Sequence, residues 1–222
     1  MLIADKQSYD APAYDKTFKQ IPGRSGDLII DNGKYPNIPI KYTMSLVRQG
    51  EITLADLTNK IKDWLLIGPG YFPLWDSYDP RYIRYASVTS GFAFSQEAKD
   101  VGTFPITFNC MPLKCAVDGL RTIEIPAAGA TLINPEQYNS KPYIKVYGSG
   151  DITMSINSQT VTIDSLDGYA EMDSLSMTIY KAQSSLSSKM SGAFPVFVPG
   201  DNEISFTGNV TGAEIVPRWC RL

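Results

Sequence analysis

Apolar and polar positions alternate most cleanly between Ile38 and Leu46. Ile38, Ile40, Tyr42, Met44 and Leu46 fall on one side and Pro39, Lys41, Thr43 and Ser45 on the other, the period-two pattern of a long half-buried strand. Pro39 near its start suits an edge or entry position. A second alternating run, Phe104, Ile106, Phe108 and Cys110, predicts a strand over 103–110. Between the two the period changes to that of a helix. Thr53 precedes Leu54-Ala55-Asp56, a capping-box variant, and Leu54, Leu57, Ile61, Trp64 and Leu65 then recur on one face. This predicts one helix over about 53–66 with that stripe in the core, stopped by Gly68-Pro69-Gly70. Residues 1–20, with Tyr9, Tyr14 and Phe18 among polar neighbours, show no period and read as an irregular arm or edge element. Ile21 to Asp27 reads as a turn, Leu28-Ile29-Ile30 as a short buried strand, and Asp31-Asn32-Gly33 as a tight turn. A further strand is expected over about 82–94.

Beyond Pro112 the helix signals vanish and short strands follow at regular spacing: 120–125, 142–147, 152–156, 160–163, 169–172, 175–179, 194–198, 203–207 and 213–216. Asn157-Ser158 marks a hairpin with Ile152, Met154, Ile156, Val161 and Ile163 inward. Gly148-Ser149-Gly150-Asp151, Pro199-Gly200-Asp201-Asn202 and Gly208-Asn209 read as turns. Residues 181–192 read as an exposed loop. Trp219 beside Arg218 suggests a docked last segment. This spacing predicts a β-sandwich, and Pro112 a boundary between domains 1–111 and 112–222.

Composition narrows the chemistry. The 222 residues are 43% hydrophobic and 19% charged, enough for a packed core. A net charge of −3 argues against a nucleic-acid footprint, and no apolar run reaches the roughly 20 residues of a membrane span. The first residues lack the pattern of a signal peptide, so folding in a cytoplasm is expected. The chain has no His, which removes Ser-His-Asp and Cys-His catalysis and imidazole metal sites. Cys110, Cys115 and Cys220 have neither zinc-site spacing nor an even count, and read as small core residues. Asp164, Asp167, Glu171 and Asp173 offer oxygens of the kind calcium takes, without EF-hand spacing, and read as a solvated turn. No enzyme, metal or cofactor is expected. The densest aromatic stretch, Tyr71 to Tyr85, interleaves Arg81 and Arg84 with Trp75, Tyr78 and Tyr82, a mixture typical of protein interfaces. Asp76 and Asp79 within it disfavour a single-strand nucleic-acid platform. With Arg24, these five residues are the candidate assembly residues.

Several segments, in order, resemble the distal tail protein family of long-tailed (siphovirus-type) bacteriophages and prophages: Ile21-Pro22-Gly23-Arg24-Ser25-Gly26-Asp27-Leu28 with Asp31-Asn32-Gly33, Asp76-Ser77-Tyr78-Asp79-Pro80-Arg81-Tyr82, Ile133-Asn134-Pro135, Lys141-Pro142 leading to Val146-Tyr147-Gly148-Ser149-Gly150-Asp151, and Phe194-Pro195 through Pro217-Arg218-Trp219. The resemblance implies a mainly β protein, with a β-barrel-like or split-barrel N-terminal domain carrying one helix and a galectin-like C-terminal β-sandwich. It also implies a homohexameric ring in the virion's tail tip, assembled in the host cytoplasm. That ring would join the tail tube protein to a tail-tip (tail-associated lysin-type) protein and to receptor-binding proteins. The arm and an edge-capable strand at 38–46 would find their cover in a neighbouring copy. The alternative is a lectin-like module that binds host cell-wall polysaccharide.

Overall fold

The computed structural model describes residues 2–6, 11–48, 50–66, 68–88 and 91–222; Tyr9 lies outside them. Among the described residues the protein is mainly β, with one α-helix and two large antiparallel sheets. Its strands are β1 (Leu2–Lys6), β2 (Lys16–Lys19), β3 (Leu28–Asp31), β4 (Ile38–Val47), β5 (Phe72–Leu74), β6 (Tyr82–Val88), β7 (Ser95–Ala98), β8 (Val101–Cys110), β9 (Lys114–Ala116), β10 (Ile123–Pro126), β11 (Ala130–Asn134), β12 (Tyr143–Ile156), β13 (Gln159–Asp173), β14 (Thr178–Lys181), β15 (Ser184–Ser185), β16 (Met190–Gly192), β17 (Gly200–Val216) and β18 (Cys220–Arg221). The helix α1 is Leu54–Leu65. The chain forms two compact units: Met1–Asp76 with Arg84–Pro112 and Leu222, and Ser77–Ile83 with Leu113–Arg221.

In the first unit the sheet runs β1-β4-β8-β6. The alternation in β4 is realised in full, with Ile38, Ile40, Tyr42, Met44 and Leu46 all buried. They meet Phe104, Ile106, Phe108 and Cys110 of β8 and Ile61 of α1 in one core. The strand expected to be edge-capable is paired within the chain: β8 pairs along the whole length of β4 and β1 covers Tyr42 to Ser45. Pro39 lies on the stretch that β1 does not cover, where a missing N–H interrupts no ladder on that side. Thr53 caps α1 through a hydrogen bond to its Oγ1 from Asp56 N, and its own hydroxyl donates to the Asp56 carboxylate (2.7 Å). Thr53→Ala is expected to destabilise the helix by about 1 kcal/mol, read as faster amide exchange in 54–58. Trp64 departs from the expected stripe: it is 59% exposed, whereas Leu54, Leu57, Ile61 and Leu65 pack inward. The strand expected over 82–94 stops at Val88; Phe92 and Phe94 instead stack on Phe104.

The second unit is built on three long strands where shorter ones were expected. The segments 142–147, from Tyr143 on, and 152–156 are both in β12, 160–163 and 169–172 in β13, and 203–207 and 213–216 in β17. The supposed turns at Gly148–Asp151 and Gly208–Asn209 are register shifts inside these strands. Their effect shows in which side chains are buried. In β13 burial falls on odd positions (Val161, Ile163) and then on even ones (Leu166, Ala170, Met172); in β17 it passes from Ile204 to Ala213 and Ile215. A bulge adds one residue and reverses the facing of all that follow. Here the extra residue moves the buried positions of β13 from odd to even while those of its partner β12 stay even (Ile144, Val146, Ile152, Met154, Ile156), so side chains on both sides of the bulge reach one core. The hairpin at Asn157-Ser158 and its five inward residues are as expected. Gly208 has φ +90°, and a Cβ there would lie 2.3 Å from Asp151 O, so the bulge requires glycine.

Four expectations shift further. Residues 194–198 form no strand and hold only a bridge between Ser140 and Phe197. The 175–179 strand is displaced to β14 behind a turn in which Asp173 accepts N–H bonds from Leu175 and Ser176. The 120–125 strand is displaced to β10, behind a 3₁₀ turn at Asp118–Leu120. The 181–192 loop contains β15, a 3₁₀ turn and β16. Trp219 is buried against Phe197 (5.4 Å between rings) within the second unit's own core.

Candidate assembly surfaces

The least expected feature lies between residues 16 and 34, every one of which is exposed. Here β2 and β3 form a two-stranded sheet of their own. Lys16 faces Asp31, Thr17 faces Ile30, Phe18 faces Ile29 and Lys19 faces Leu28. Phe18 and Ile29 occupy one face at 61% and 57% exposure; Leu28 and Ile30 occupy the other. The strand at 28–30 is thus formed, but it is not buried. An apolar triplet cannot reveal whether its own chain supplies the cover.

The base of this hairpin is well tied. Asn32 Nδ2 donates to Asp15 Oδ1 (2.9 Å) and Thr17 Oγ1 (3.1 Å), Asp15 N to Lys34 O (3.0 Å), and Gly33 N to Asp31 Oδ1 (2.7 Å). Tyr14 packs edge-on against Tyr35 at 4.8 Å. Arg24 sits in the connection at the tip, where its N–H donates to Ile21 O. An isolated hairpin is marginal in water. This one is tied at its base while it presents apolar side chains on both faces.

The aromatic segment divides by role. In the first unit Trp75 is 56% exposed. Its neighbour Asp76 accepts a hydrogen bond from the hydroxyl of buried Tyr42, which moors this stretch to the core strand β4. Burial, then the Asp76 carboxylate, push the Tyr42 hydroxyl well above its ordinary pKa. Arg84 is half-buried and donates to Pro112 O (3.3 Å). In the second unit Tyr78 and Arg81 are exposed, whereas Tyr82 is buried. The Tyr82 hydroxyl donates to Glu136 Oε1 (2.8 Å) and accepts from Arg221 (3.2 Å), and Lys114 Nζ lies 4.4 Å from its ring. Lys114 is also paired with Asp79. Four of the six candidates, Arg24, Trp75, Tyr78 and Arg81, therefore lie at the surface, and Tyr82 and Arg84 hold structure. The hairpin residues Phe18 and Ile29 join the surface set.

The acidic run of the second unit is dispersed into separate contacts. Asp167 pairs with Lys181 (3.0 Å), Glu171 accepts from the Tyr143 hydroxyl (2.7 Å), and Asp173 binds Arg218 through two bonds (2.6 and 3.1 Å). Burial raises the Asp173 carboxyl, but Arg218 and the Leu175 and Ser176 N–H groups outweigh it and hold it below its usual range. A depressed folded pKa means that this pair stabilises above the unfolded value of about 4 and is lost as pH falls through the folded one. Arg218→Met is expected to flatten the acid limb of stability against pH below about pH 4, read by urea unfolding across that range.

On the outer face of the same sheet, Tyr147 and Tyr169 lie 6.3 Å apart at 50°, with Lys145 Nζ 5.4 and 4.5 Å from the two rings. The Tyr147 hydroxyl donates to Glu214 (2.8 Å). A shallow groove of about 390 Å³ beside them is lined by Glu124, Pro126, Tyr147, Thr211 and Glu214 among others. No group of three or more His, Cys, Asp or Glu among the described residues is placed to hold a metal ion, and no helix among them is long and apolar enough to cross a membrane.

No protein-family model and no curated protein sequence matches the chain. Among solved structures it is similar to the SPP1 Dit protein, whose crystal structure is described as a paradigm of the hub adsorption apparatus in phages infecting Gram-positive bacteria. The likeness has a TM-score of 0.71 at 14% identity and covers 100% of this chain and 93% of that one. The fold is therefore Dit-like from end to end.

Proposed function

We propose that this protein is a structural hub of a phage tail tip: six copies form a ring that joins the tail tube protein to the tail-tip protein and the adhesion proteins beyond it. The observation that carries this reading is the full-length likeness to a hub protein. The ordered sequence motifs support it independently. The exposed hairpin supports ring formation, because apolar side chains on both faces of a two-stranded sheet call for cover by another chain. A head-to-tail contact, repeated and closed, gives every hairpin the same seat. In this reading residues 1–111 form the ring, residues 112–222 are a galectin-like β-sandwich module, and Arg24, Trp75, Tyr78 and Arg81 serve contacts between chains. The protein works in the virion, without a cofactor and without catalysis.

Light scattering on the purified protein is expected to give a species of about 147 kDa, six chains of 24.5 kDa, and electron microscopy a ring with a central channel. A monomer at micromolar concentration, both alone and with the tail tube and tail-tip proteins of its own phage, overturns the proposal.

A second reading, saccharide binding by the second unit, rests on the groove lined by Tyr147 with the Glu124 and Glu214 carboxylates. Binding to host-wall polysaccharide that Tyr147→Ala abolishes supports it. A blank glycan array and cell-wall pulldown leave the groove as architecture alone.

A further inference from the structure

We propose that Cys115 and Cys220 are a redox pair that closes into a disulfide across β9 and β18, locking the segment that carries Trp219 in place. The two residues are direct partners in the antiparallel register of these strands. Ala116 N donates to Trp219 O at 2.8 Å, which makes Ala116 and Trp219 the hydrogen-bonded pair. Cys115 and Cys220 are then the adjacent non-hydrogen-bonded pair, where opposed Cα atoms stand about 4.5 Å apart and the side chains are closest. That separation falls inside the window for a disulfide. Cys110 is a contrast: it faces the first unit's core and its register partners are Ile38 and Ala86.

The two thiols are free in this structure. Cys220 is buried and its Sγ donates to Asn139 O (3.3 Å), whereas Cys115 is only half-buried. Burial, followed by the proximity of Cys115 and Glu136, pushes the Cys220 thiol up to about 12, and burial also raises Cys115. Thiolate is therefore scarce at neutral pH and closure is slow. A low-molecular-weight disulfide such as oxidised glutathione supplies the oxidant. The Cys115 thiolate attacks it, forms a mixed disulfide and releases one glutathione thiolate. The Cys220 thiolate then attacks the Cys115 sulfur and releases the second. Two protein thiols are oxidised, one glutathione disulfide is reduced to two thiols, and the two protons pass to the departing thiolates. The pair would stay open in a reducing cytoplasm and close after release from it.

The test uses the whole protein incubated with glutathione disulfide at neutral and alkaline pH, then alkylated and digested with trypsin. The expected result is one linked species joining 115–121 to 219–221, formed faster at higher pH, with Cys110 alkylatable on its own peptide. Because the bond closes a loop of about 100 residues, the melting temperature is expected to rise by about 10 °C over the reduced protein. The rise should vanish in Cys115→Ser, whose half-buried position tolerates the change. Both cysteines found alkylated or singly glutathionylated at every pH, or a linkage through Cys110, overturns the proposal.

Discussion

Ile29→Lys is expected to dissolve the proposed ring into monomers that remain folded, melting below the wild type only by the stabilisation that assembly itself supplied. The two halves of that result have separate physical origins. Ile29 is 57% exposed and lies opposite Phe18 on a sheet of only two strands, so the single chain gains little from burying it. Burial of such a side chain against a neighbour is worth about 1.5–3 kcal/mol. A lysine there forfeits that and sets a charge against an apolar seat. A loss of about 2–4 kcal/mol at each contact, the size of an interface hot spot, weakens each roughly 30- to 1,000-fold. A closed ring repeats the loss around its circumference. Phe18→Ser should act in the same direction on the same face, and Lys16→Gln, on that face but polar from the start, should leave assembly intact. Sedimentation velocity reads the mass and calorimetry the fold. Rings that persist in both Ile29→Lys and Phe18→Ser place the assembly contact elsewhere, on the Trp75 or Tyr78–Arg81 surface.

What the sequence disclosed followed from whether a residue's own chain decides its environment. The alternation in 38–46 and the capped helix are local patterns enforced by a core, and both appear where expected. Trp64 fits the same helical spacing but sits at the margin of the stripe, and no property of the sequence distinguishes a margin from a centre. Leu28-Ile29-Ile30 failed as a buried strand for a related reason: apolarity predicts cover, but not whose. The long strands failed through turn chemistry. Gly148, Gly150 and Gly208 carry the residues of a turn because a bulge and a turn both need backbone freedom, and only pairing on both sides tells them apart. Of the six candidate residues, Tyr82 lies buried among Lys114, Arg81 and Arg221 and Arg84 is half-buried; a buried aromatic surrounded by cations has the same composition in sequence as an exposed one.

Asn202, expected from the sequence as a turn residue, is a buried fastening point whose substitution is expected to have a large effect on the second unit. It is fully buried at the start of β17. Its Oδ1 accepts from Val198 N (2.9 Å) and Asn157 Nδ2 (3.1 Å), and its Nδ2 donates to Val198 O and Gly200 O (both 2.9 Å) and to Leu132 O (3.4 Å). Asn157 in turn bonds the backbone of Glu203 from both directions. One amide thus fastens the strandless 194–199 segment, the β12–β13 hairpin and β11 to a single point. Asn202→Ala leaves buried backbone groups without partners and is expected to destabilise by about 3 kcal/mol, close to 10 °C in melting temperature for a chain of this size. Asn202→Asp separates this account from simple loss of packing. It keeps the shape but turns a lone pair toward the Val198 and Gly200 carbonyls, so the ionised form is repelled and the protonated form can still donate. The carboxyl's folded pKa would then stand above its unfolded value. The deficit should be large at neutral pH and shrink as pH falls through the folded pKa toward the unfolded one, the reverse of the Asp173–Arg218 limb. A deficit in Asn202→Asp that does not change with pH, or an Asn202→Ala protein as stable as wild type, would show that this amide is not the fastening point.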